Sequence, residues 1–278
     1  MRTPDPPETN KAILSIGSSE SAISLFAFVD ANQICAGQLM DSEESALTLH
    51  RAGVVGAIID SVPIADFCGV DSQRNLQDVS WLARRVRRHA EILARAMQFS
   101  PVFPVPFGTL YTSLESLSAF MESHEATIAR FLLDASDKEE WELRAAARLD
   151  DPIVLDRLAR KAWPEWAKLS NGLRYMRLCR DKHMLRDLGR AEAAVVARNL
   201  VQELEPLSAG SCDRNLEGTD LIARHAFLVP KGNAAALSQR VAELNGRLGA
   251  ESVEFTLSGP WPPYSFRPQL NRPLCSSN

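Results

Sequence analysis

The sequence predicts an α+β protein of two domains, an N-terminal α/β domain and a C-terminal α/β sandwich with long helices. Three observations lead to this fold class. The chain has 278 residues, which is more than one hydrophobic core usually holds. Both halves contain apolar runs of strand length, and both also carry apolar stripes with the spacing of a helix.

The composition is that of an ordinary globular protein, with 45% apolar and 24% charged residues. The formal net charge is -4 and the pI is about 5.8. A nucleic-acid-binding domain usually carries a basic excess, so this charge argues against nucleic acid as a partner. The longest uncharged apolar stretch, 52–59, is far shorter than the roughly 20 residues that cross a bilayer, so no membrane partner is expected.

Two features indicate a reducing cytoplasm. The five cysteines are odd in number and widely spaced, which fits neither a disulfide framework nor a metal-binding C-x-x-C pattern. Residues 1–21 contain prolines and serines but no long apolar segment. They therefore indicate a flexible leader rather than a secretion signal.

The first half alternates strands and helices. Apolar runs at 22–29 and 54–60 predict buried strands, and a short buried edge strand is expected at 102–105. Asp78 is a candidate N-cap for a helix between them. The apolar stripe of that helix is drawn through Leu82, Val86, Ala90, Leu93 and Met97.

The domain boundary is expected near Ser136, where the chain turns polar. Before it, Thr112 and Glu115 form a capping-box pattern that opens a second helix. After it, the alternation around Trp141 predicts a half-buried strand. The predicted divisions are a leader at 1–21, the N-terminal α/β domain at 22–136, the C-terminal domain at 137–268 and a tail at 269–278.

The second half predicts the order β, long helices, β, α, β. Asp151 before Pro152 marks one helix start. A long helical region follows from about 170, a polar loop is expected at 208–218, and strand, helix and strand come after it. The buried side of the long helix is assigned to Leu185, Leu188, Val195, Leu200 and Leu204. Helices packed on one sheet face in this order are compatible with a ferredoxin-like α/β sandwich, which by itself specifies no chemistry.

Nothing in the sequence indicates catalysis. The chain lacks the G-x-S-x-G elbow, the P-loop and the G-x-G-x-x-G fingerprint. Its histidines show no paired ligand spacing, and the acidic pairs at 139–140 and 150–151 are explained by strand-edge solvation and helix capping. We therefore predict no enzyme activity, no metal and no cofactor.

Two groups of arginines could bind an anion. They are Arg84, Arg85, Arg87 and Arg88, and the row Arg174, Arg177 and Arg180. Guanidinium groups bind phosphate and carboxylate well. A solvated helix face is nevertheless the interpretation that we favour.

The most unusual stretch directly follows the last predicted strand. It consists of Gly259, Pro260, Trp261, Pro262, Pro263, Tyr264, Ser265 and Phe266. Its prolines fix the backbone, and its aromatic rings offer large, stiff apolar surfaces. We favour rings that pack back on their own domain and cap its sheet, and the alternative is a preformed contact for a partner.

This stretch resembles the C-terminal signature of the gas vesicle F/L proteins (GvpF/GvpL). The Pro-x-x-Phe-Gly-Thr element and the Glu-Trp strand of that family are matched by Pro104, Phe107, Gly108 and Thr109, and by Glu140 and Trp141. Order and spacing agree from about 25 to 266. One departure is Pro106, which stands where the family usually has arginine, so an ion pair made by that arginine is lost.

The resemblance implies a non-enzymatic minor component of gas vesicles with a modified ferredoxin-like C-terminal domain. It implies a cytoplasmic, vesicle-associated protein that binds the hydrophobic shell protein and other accessory proteins during nucleation. A shell subunit with an apolar face would aggregate before assembly, so a partner that covers its strands or that face is useful. The candidate interaction or structural residues are 107–109, Trp141, 259–264 and Phe266.

Two other functions stay open at this point. The first is a small-molecule-binding or catalytic ferredoxin-like protein, for which a deep polar pocket with convergent titratable groups would be the sign. The second is a nucleic-acid-associated factor, which would bind DNA or RNA with strong salt dependence.

Overall fold

The computed structural model describes residues 21–39, 47–67, 75, 77–216, 221–247 and 253–271. Within these ranges the chain forms two antiparallel sheets with helices packed on them. The predicted α+β fold class is confirmed. Residues 1–20 of the expected leader and residues 272–278 of the expected tail lie outside the described residues.

The first sheet is built from the first half of the chain. Its elements are β1 (Ser21–Asp30), α1 (Ala36–Leu39), β2 (Thr48–Ala52), β3 (Val55–Pro63), α2 (Val79–Ala96), β4 (Val102–Pro104), β5 (Leu110–Tyr111) and α3 (Leu114–Asp134). The strand order is β2-β3-β1-β4, and β5 also pairs with β1. The two predicted buried strands and the predicted short edge strand are thus confirmed.

Both faces of the first sheet are covered. On one face, Leu25 and Phe28 of β1 pack with side chains of α3 such as Phe120 and Met121. On the other face, neighbouring β1 residues pack with α1 and α2. Because strand side chains alternate between faces, a sheet covered twice needs apolar residues in long runs, as β1 and β3 have.

The buried side of α2 differs from the predicted stripe. Asp78 caps the helix as expected, since its carboxylate accepts hydrogen bonds from the N–H groups of Ser80 and Trp81 at 2.8 and 3.2 Å. The buried residues, however, are His89, Ile92, Leu93 and Ala96. Val86 is 44% exposed, because the inward face runs through a histidine that the apolar stripe omitted.

The capping box of α3 lies one residue later than predicted. The N-cap is Ser113, not Thr112, and its hydroxyl accepts a hydrogen bond from the N–H of Ser116 at 3.2 Å. The Ser116 hydroxyl accepts the N–H of Ser113 in return, at 3.3 Å. A serine therefore fills the reciprocal position that the pattern had assigned to Glu115.

The second sheet has the strand arrangement of a ferredoxin-like fold. Its elements are β6 (Lys138–Ala147), α4 (Pro152–Ala162), α5 (Asn171–Leu204), β7 (Gly210–Asp213), β8 (Leu221–Pro230), α6 (Ala234–Arg247) and β9 (Val253–Trp261). The antiparallel order is β7-β8-β6-β9. In a simple β-α-β-β-α-β unit a single helix connects the first two strands. Here two helices, α4 and the long α5, connect β6 to β7.

The strand β7 lies where a polar loop over 208–218 was expected. Its four residues, Gly-Ser-Cys-Asp, offer no apolar alternation, so sequence periodicity gave no signal. It forms because the neighbouring strand β8 supplies an open edge that pairs with it from Gly210 to Asp213.

The two sheets share one strand order. The first sheet has the order β2-β3-β1-β4, and the second has the order β7-β8-β6-β9. If the strands of each sheet are numbered one to four along the chain, both orders read two, three, one, four. Each half also places a helix between its third and fourth strand. The halves are therefore variations on one topology, with β5 and α3 added to the first.

Helices α5 and α6 cover one face of the second sheet. Ala193 and Ala197 of α5 are fully buried against it, together with Leu200 and Leu204. Val195, which was assigned to the buried side, is 51% exposed, because it lies two positions from Ala193 and thus on the opposite side of the helix. Small residues let the helix approach the sheet closely.

No helix in the part of the chain that the structure describes combines the length and the apolar character needed to cross a membrane. The 34-residue α5 is long enough, but charged residues are spread along it.

Candidate functional site at the junction of the two sheets

The motif residues of the sequence meet between the two sheets. The turn at 104–109 belongs to the first half, while the pair at 140–141 and the segment at 259–266 belong to the second. Hydrogen bonds and ring contacts join them. We call the segment 262–270 the strap, because it leaves β9 and lies against the first sheet.

A tight turn presents Phe107. The Pro106 carbonyl accepts hydrogen bonds from both the N–H and the hydroxyl of Thr109, at 3.3 and 2.7 Å. Gly108 has φ 79°, a conformation that a turn requires at its third residue and that glycine adopts without strain. The Thr109 carbonyl accepts the N–H of Leu25 at 2.9 Å, so the turn is fixed to β1.

His89 lies at the centre of the junction. The ring of Phe107 meets it edge-on at 5.8 Å, and the ring of Phe26 lies 5.4 Å away. From the strap, the hydroxyl of Tyr264 lies 3.3 Å from Nε2 of His89. Both signature motifs therefore touch one histidine that the sequence analysis had not selected.

Burial shifts the pKa of both partners in this contact. Desolvation lowers the pKa of His89, although a hydrogen bond with the Val105 backbone opposes the shift. Desolvation also raises the pKa of Tyr264 to about 12. The pair is thus held as a neutral imidazole and a neutral phenol, which suits a structural contact in an apolar setting.

Glu140 fixes the strap to β6. Its two carboxylate oxygens accept the N–H and the hydroxyl of Ser265, at 2.8 and 2.6 Å. Arg214 donates to the same hydroxyl at 3.0 Å. Burial raises the pKa of Glu140, while the bonds from Ser265 act to lower it.

Gly259 and Trp141 are in close contact where β9 bends. A Cβ atom at Gly259 would lie 2.9 Å from the Trp141 ring and 3.0 Å from the Glu140 carbonyl oxygen, and φ is 151°. The peptide bond to Pro260 is cis. Only glycine fits here, which accounts for two of the motif positions by packing.

The aromatic rings of the segment divide into two groups. Tyr264 and Phe266 pack on the apolar clusters of the first sheet, one on each face. These two rings therefore contact the first sheet, beyond the domain that the favoured interpretation had them cap, and Phe266 also lies beside Gly210 of β7 in its own half. Trp261 differs from these two residues, because it is 48% exposed.

The arginines on α2 are largely engaged with their own surroundings. Arg85 pairs with Asp66 and lies over the ring of Trp81 at 4.5 Å. Arg88 pairs with Asp60 at 2.9 Å. These two side chains serve packing more than a solvated face.

The arginine row on α5 is engaged in a similar way. Arg177 pairs with Glu165 and lies over Trp163 at 4.3 Å. Arg174 donates to the carbonyls at 166 and 167. Across the described ranges, no group of three or more His, Cys, Asp or Glu is placed to hold a metal ion.

The fold and the junction define a class: two-lobed α+β proteins whose two sheets are joined by an aromatic, proline-rich strap. The chain belongs to the gas vesicle synthesis protein GvpL/GvpF family, whose model matches residues 22–268. The resemblance stated from the sequence motifs is thereby confirmed.

Relatives and solved structures agree with this assignment. Gas vesicle protein L of Streptomyces sp. (strain CB03234) is 25% identical over 225 residues, which is 78% of this chain and 82% of that protein. The crystal structure of GvpF from Anabaena sp. PCC7120 superposes with a TM-score of 0.67 at 16% identity, over 91% of this chain and 98% of that one. GvpF from Microcystis aeruginosa gives 0.63 at 13% identity, over 89% and 99%. These structures share the fold.

Proposed function

We propose that this chain is a non-enzymatic accessory protein of gas vesicle assembly. It works in the cytoplasm and on the vesicle, where it binds the hydrophobic shell protein and other accessory proteins during nucleation. Family membership supports the link to gas vesicles. The observation that supports a binding role is the exposed Trp261.

Trp261 is a fitting anchor for a protein partner. It ends the edge strand β9, and the residue is 48% exposed although both following prolines are buried. Its indole N–H donates to the Ser258 hydroxyl at 3.3 Å, so the side chain is held in position. Rigid aromatic anchors dominate the energy of many interfaces, because they bury a large area with little loss of entropy.

The strand beside Trp261 is open for pairing. In the described part of the chain, β9 pairs with β6 alone. The amide of Asn245 bonds both the N–H and the carbonyl of Phe255, at 2.9 and 2.8 Å, and so satisfies the outer edge there. Two residues further along β9, the backbone N–H and carbonyl of Leu257 point to the same outer edge as those of Phe255. A strand of the shell protein can add at this point.

Under this proposal the remaining motif residues have a structural role and join the two sheets. Phe107, Gly108 and Thr109 form the turn on His89, and Trp141 with Gly259 fixes the bend of β9. The strap then carries Tyr264 and Phe266 to the first sheet. Trp261 is left to meet the partner.

The test is co-expression with the gas vesicle shell protein, followed by measurement of soluble shell protein and of its co-purification. We expect the wild-type chain to retain soluble shell protein and the Trp261→Ala variant to lose it. Tyr175→Ala is the matched control, because Tyr175 is 70% exposed and lies on α5. Absence of any association would contradict the function, and an equal loss in both variants would contradict the role of Trp261.

A further inference from the structure

Two cavities flank the strap, and one side chain lines both. The first has a volume of about 410 Å³ and lies between the first sheet, α3 and the end of the strap. The second, of about 440 Å³, lies over the face of the second sheet that α5 and α6 leave uncovered. Arg267 belongs to the lining of each.

The first cavity is lined by apolar side chains together with the polar groups of Thr109, Arg267 and Gln269. Phe28 and Phe103 lie behind its wall without accessible surface, whereas Tyr111 and Leu270 are partly exposed and Phe120 is 6% exposed. Gln269 and Leu270 of the strap stand at its mouth. Its volume falls in the range of small-molecule sites, about 300–1,000 Å³, and such sites combine apolar walls with a few polar groups. Among the described residues that line it, Arg267 alone is charged.

The second cavity contains charges that already have partners. Arg144 and Arg224 both bind Glu142, at 2.5 and 2.8 Å. Arg214 donates to Ser265, which in turn is bound to Glu140. These groups neutralise one another to a large extent.

Arg267 differs from these arginines. Within the described ranges it has neither an ion pair nor a hydrogen bond, although its side chain is partly buried. A guanidinium group in such a place is best satisfied by a planar oxyanion that accepts two parallel hydrogen bonds. Arg267 supplies one positive charge, and the second cavity that it also lines contains the carboxylates of Glu140 and Glu142, so a ligand with a single negative charge is favoured over one with two.

We propose that the first cavity and Arg267 form a binding site for an amphiphilic monocarboxylate, since the cavity offers both apolar and polar groups. The apolar body of the ligand lies against Tyr111, Phe120 and Leu270. Its carboxylate reaches the mouth of the cavity and pairs with Arg267. This inference does not rest on the proposed function, since it concerns the first sheet and the strap rather than Trp261.

The experiment is isothermal titration of the full chain with decanoate. Decanol, which lacks the charge, and acetate, which lacks the apolar body, are the comparison probes. We expect saturable binding of decanoate and at least tenfold weaker binding of the other two, because a hydrogen bond to a charged group contributes about a factor of ten or more.

Two variants and one control locate the site. Arg267→Gln should weaken decanoate binding about tenfold or more. Leu270→Trp should fill the mouth of the cavity and weaken it too, with folding checked by circular dichroism. Arg87→Gln is the control, because Arg87 is exposed on α2.

Several outcomes would overturn the proposal. They are an absence of saturable decanoate binding, full binding by a folded Arg267→Gln or Leu270→Trp variant, and an equal loss in the Arg87→Gln control. The last would indicate a general effect of charge.

Discussion

Both carboxylate oxygens of Glu140 accept hydrogen bonds from Ser265, one from its N–H at 2.8 Å and one from its hydroxyl at 2.6 Å. The two residues belong to the second half of the chain, but both neighbours of Ser265 also contact the first half. Tyr264 and Phe266 reach the first sheet on either side of it. This pair therefore sets the point from which the strap leaves its own sheet.

Removal of this carboxylate should loosen the strap. Glu140→Ala removes the acceptor of both the Ser265 N–H and the Ser265 hydroxyl, so we expect a loss of about 1–3 kcal/mol in the free energy of unfolding, measured with urea. Glu140→Gln should lose less, because its amide oxygen still accepts one bond. Glu122→Ala, an exposed change on α3, serves as control and should stay within about 0.5 kcal/mol. Wild-type stability in Glu140→Ala would contradict this account.

Gly259→Ala should destabilise the bend of β9. The added methyl group would meet the Trp141 ring at 2.9 Å, and overpacking of this kind costs about 1–3 kcal/mol. Gly246→Ala is the matched change, since it lies in α6 with nothing within 4 Å of its Cβ position. It should be neutral or stabilising by up to about 1 kcal/mol. Chemical unfolding of both variants checks the contrast, and equal effects would count against it.

Acid should weaken the junction through His89. Its folded pKa is lowered by burial, so its contribution to stability is complete above the unfolded value of 6.5 and is lost as the pH falls through the folded pKa. We expect the wild-type protein to lose more stability on acidification below that value than His89→Gln does. Glu140, whose raised pKa acts in the opposite sense, is present in both proteins and cancels in the difference. Parallel pH profiles for the two proteins would exclude this role of His89.

Asn245 should protect the outer edge of β9. Asn245→Ala removes both side-chain bonds to Phe255, and we expect a loss of about 1–3 kcal/mol in unfolding free energy. The uncovered strand edge should also promote self-association. Sedimentation at increasing protein concentration measures the second effect. Asn233→Ala, which removes one bond to the Leu207 carbonyl, should destabilise less and leave the oligomeric state unchanged.

Local signals in the sequence predicted the elements of the fold well. Asp78 and Asp151 cap helices where their position indicated, because a cap depends on backbone groups within a few residues. The long apolar runs of β1 and β3 indicated strands buried on both faces. The short strand β7 escaped prediction because an edge strand is defined by its neighbour β8 more than by its own side chains.

The junction was harder to predict because its contacts are distant in sequence. The motif residues themselves were selected, but the pairing of Tyr264 with His89 joins positions 175 apart. The predicted apolar stripe of α2 ran through Ala90 and therefore left out His89. The available signal for His89 was its position next to that stripe. Periodicity shows which face of a helix is buried, and it does not show which distant residue buries it.

The path of the strap also constrains the order of events during synthesis. The first sheet leaves the ribosome long before Tyr264, Phe266 and Leu270, yet these residues supply part of the cover over its clusters. Until they arrive, an apolar surface of the nascent chain stays accessible to water and to chaperones. Synthesis of the strap therefore completes the half of the protein that was made first.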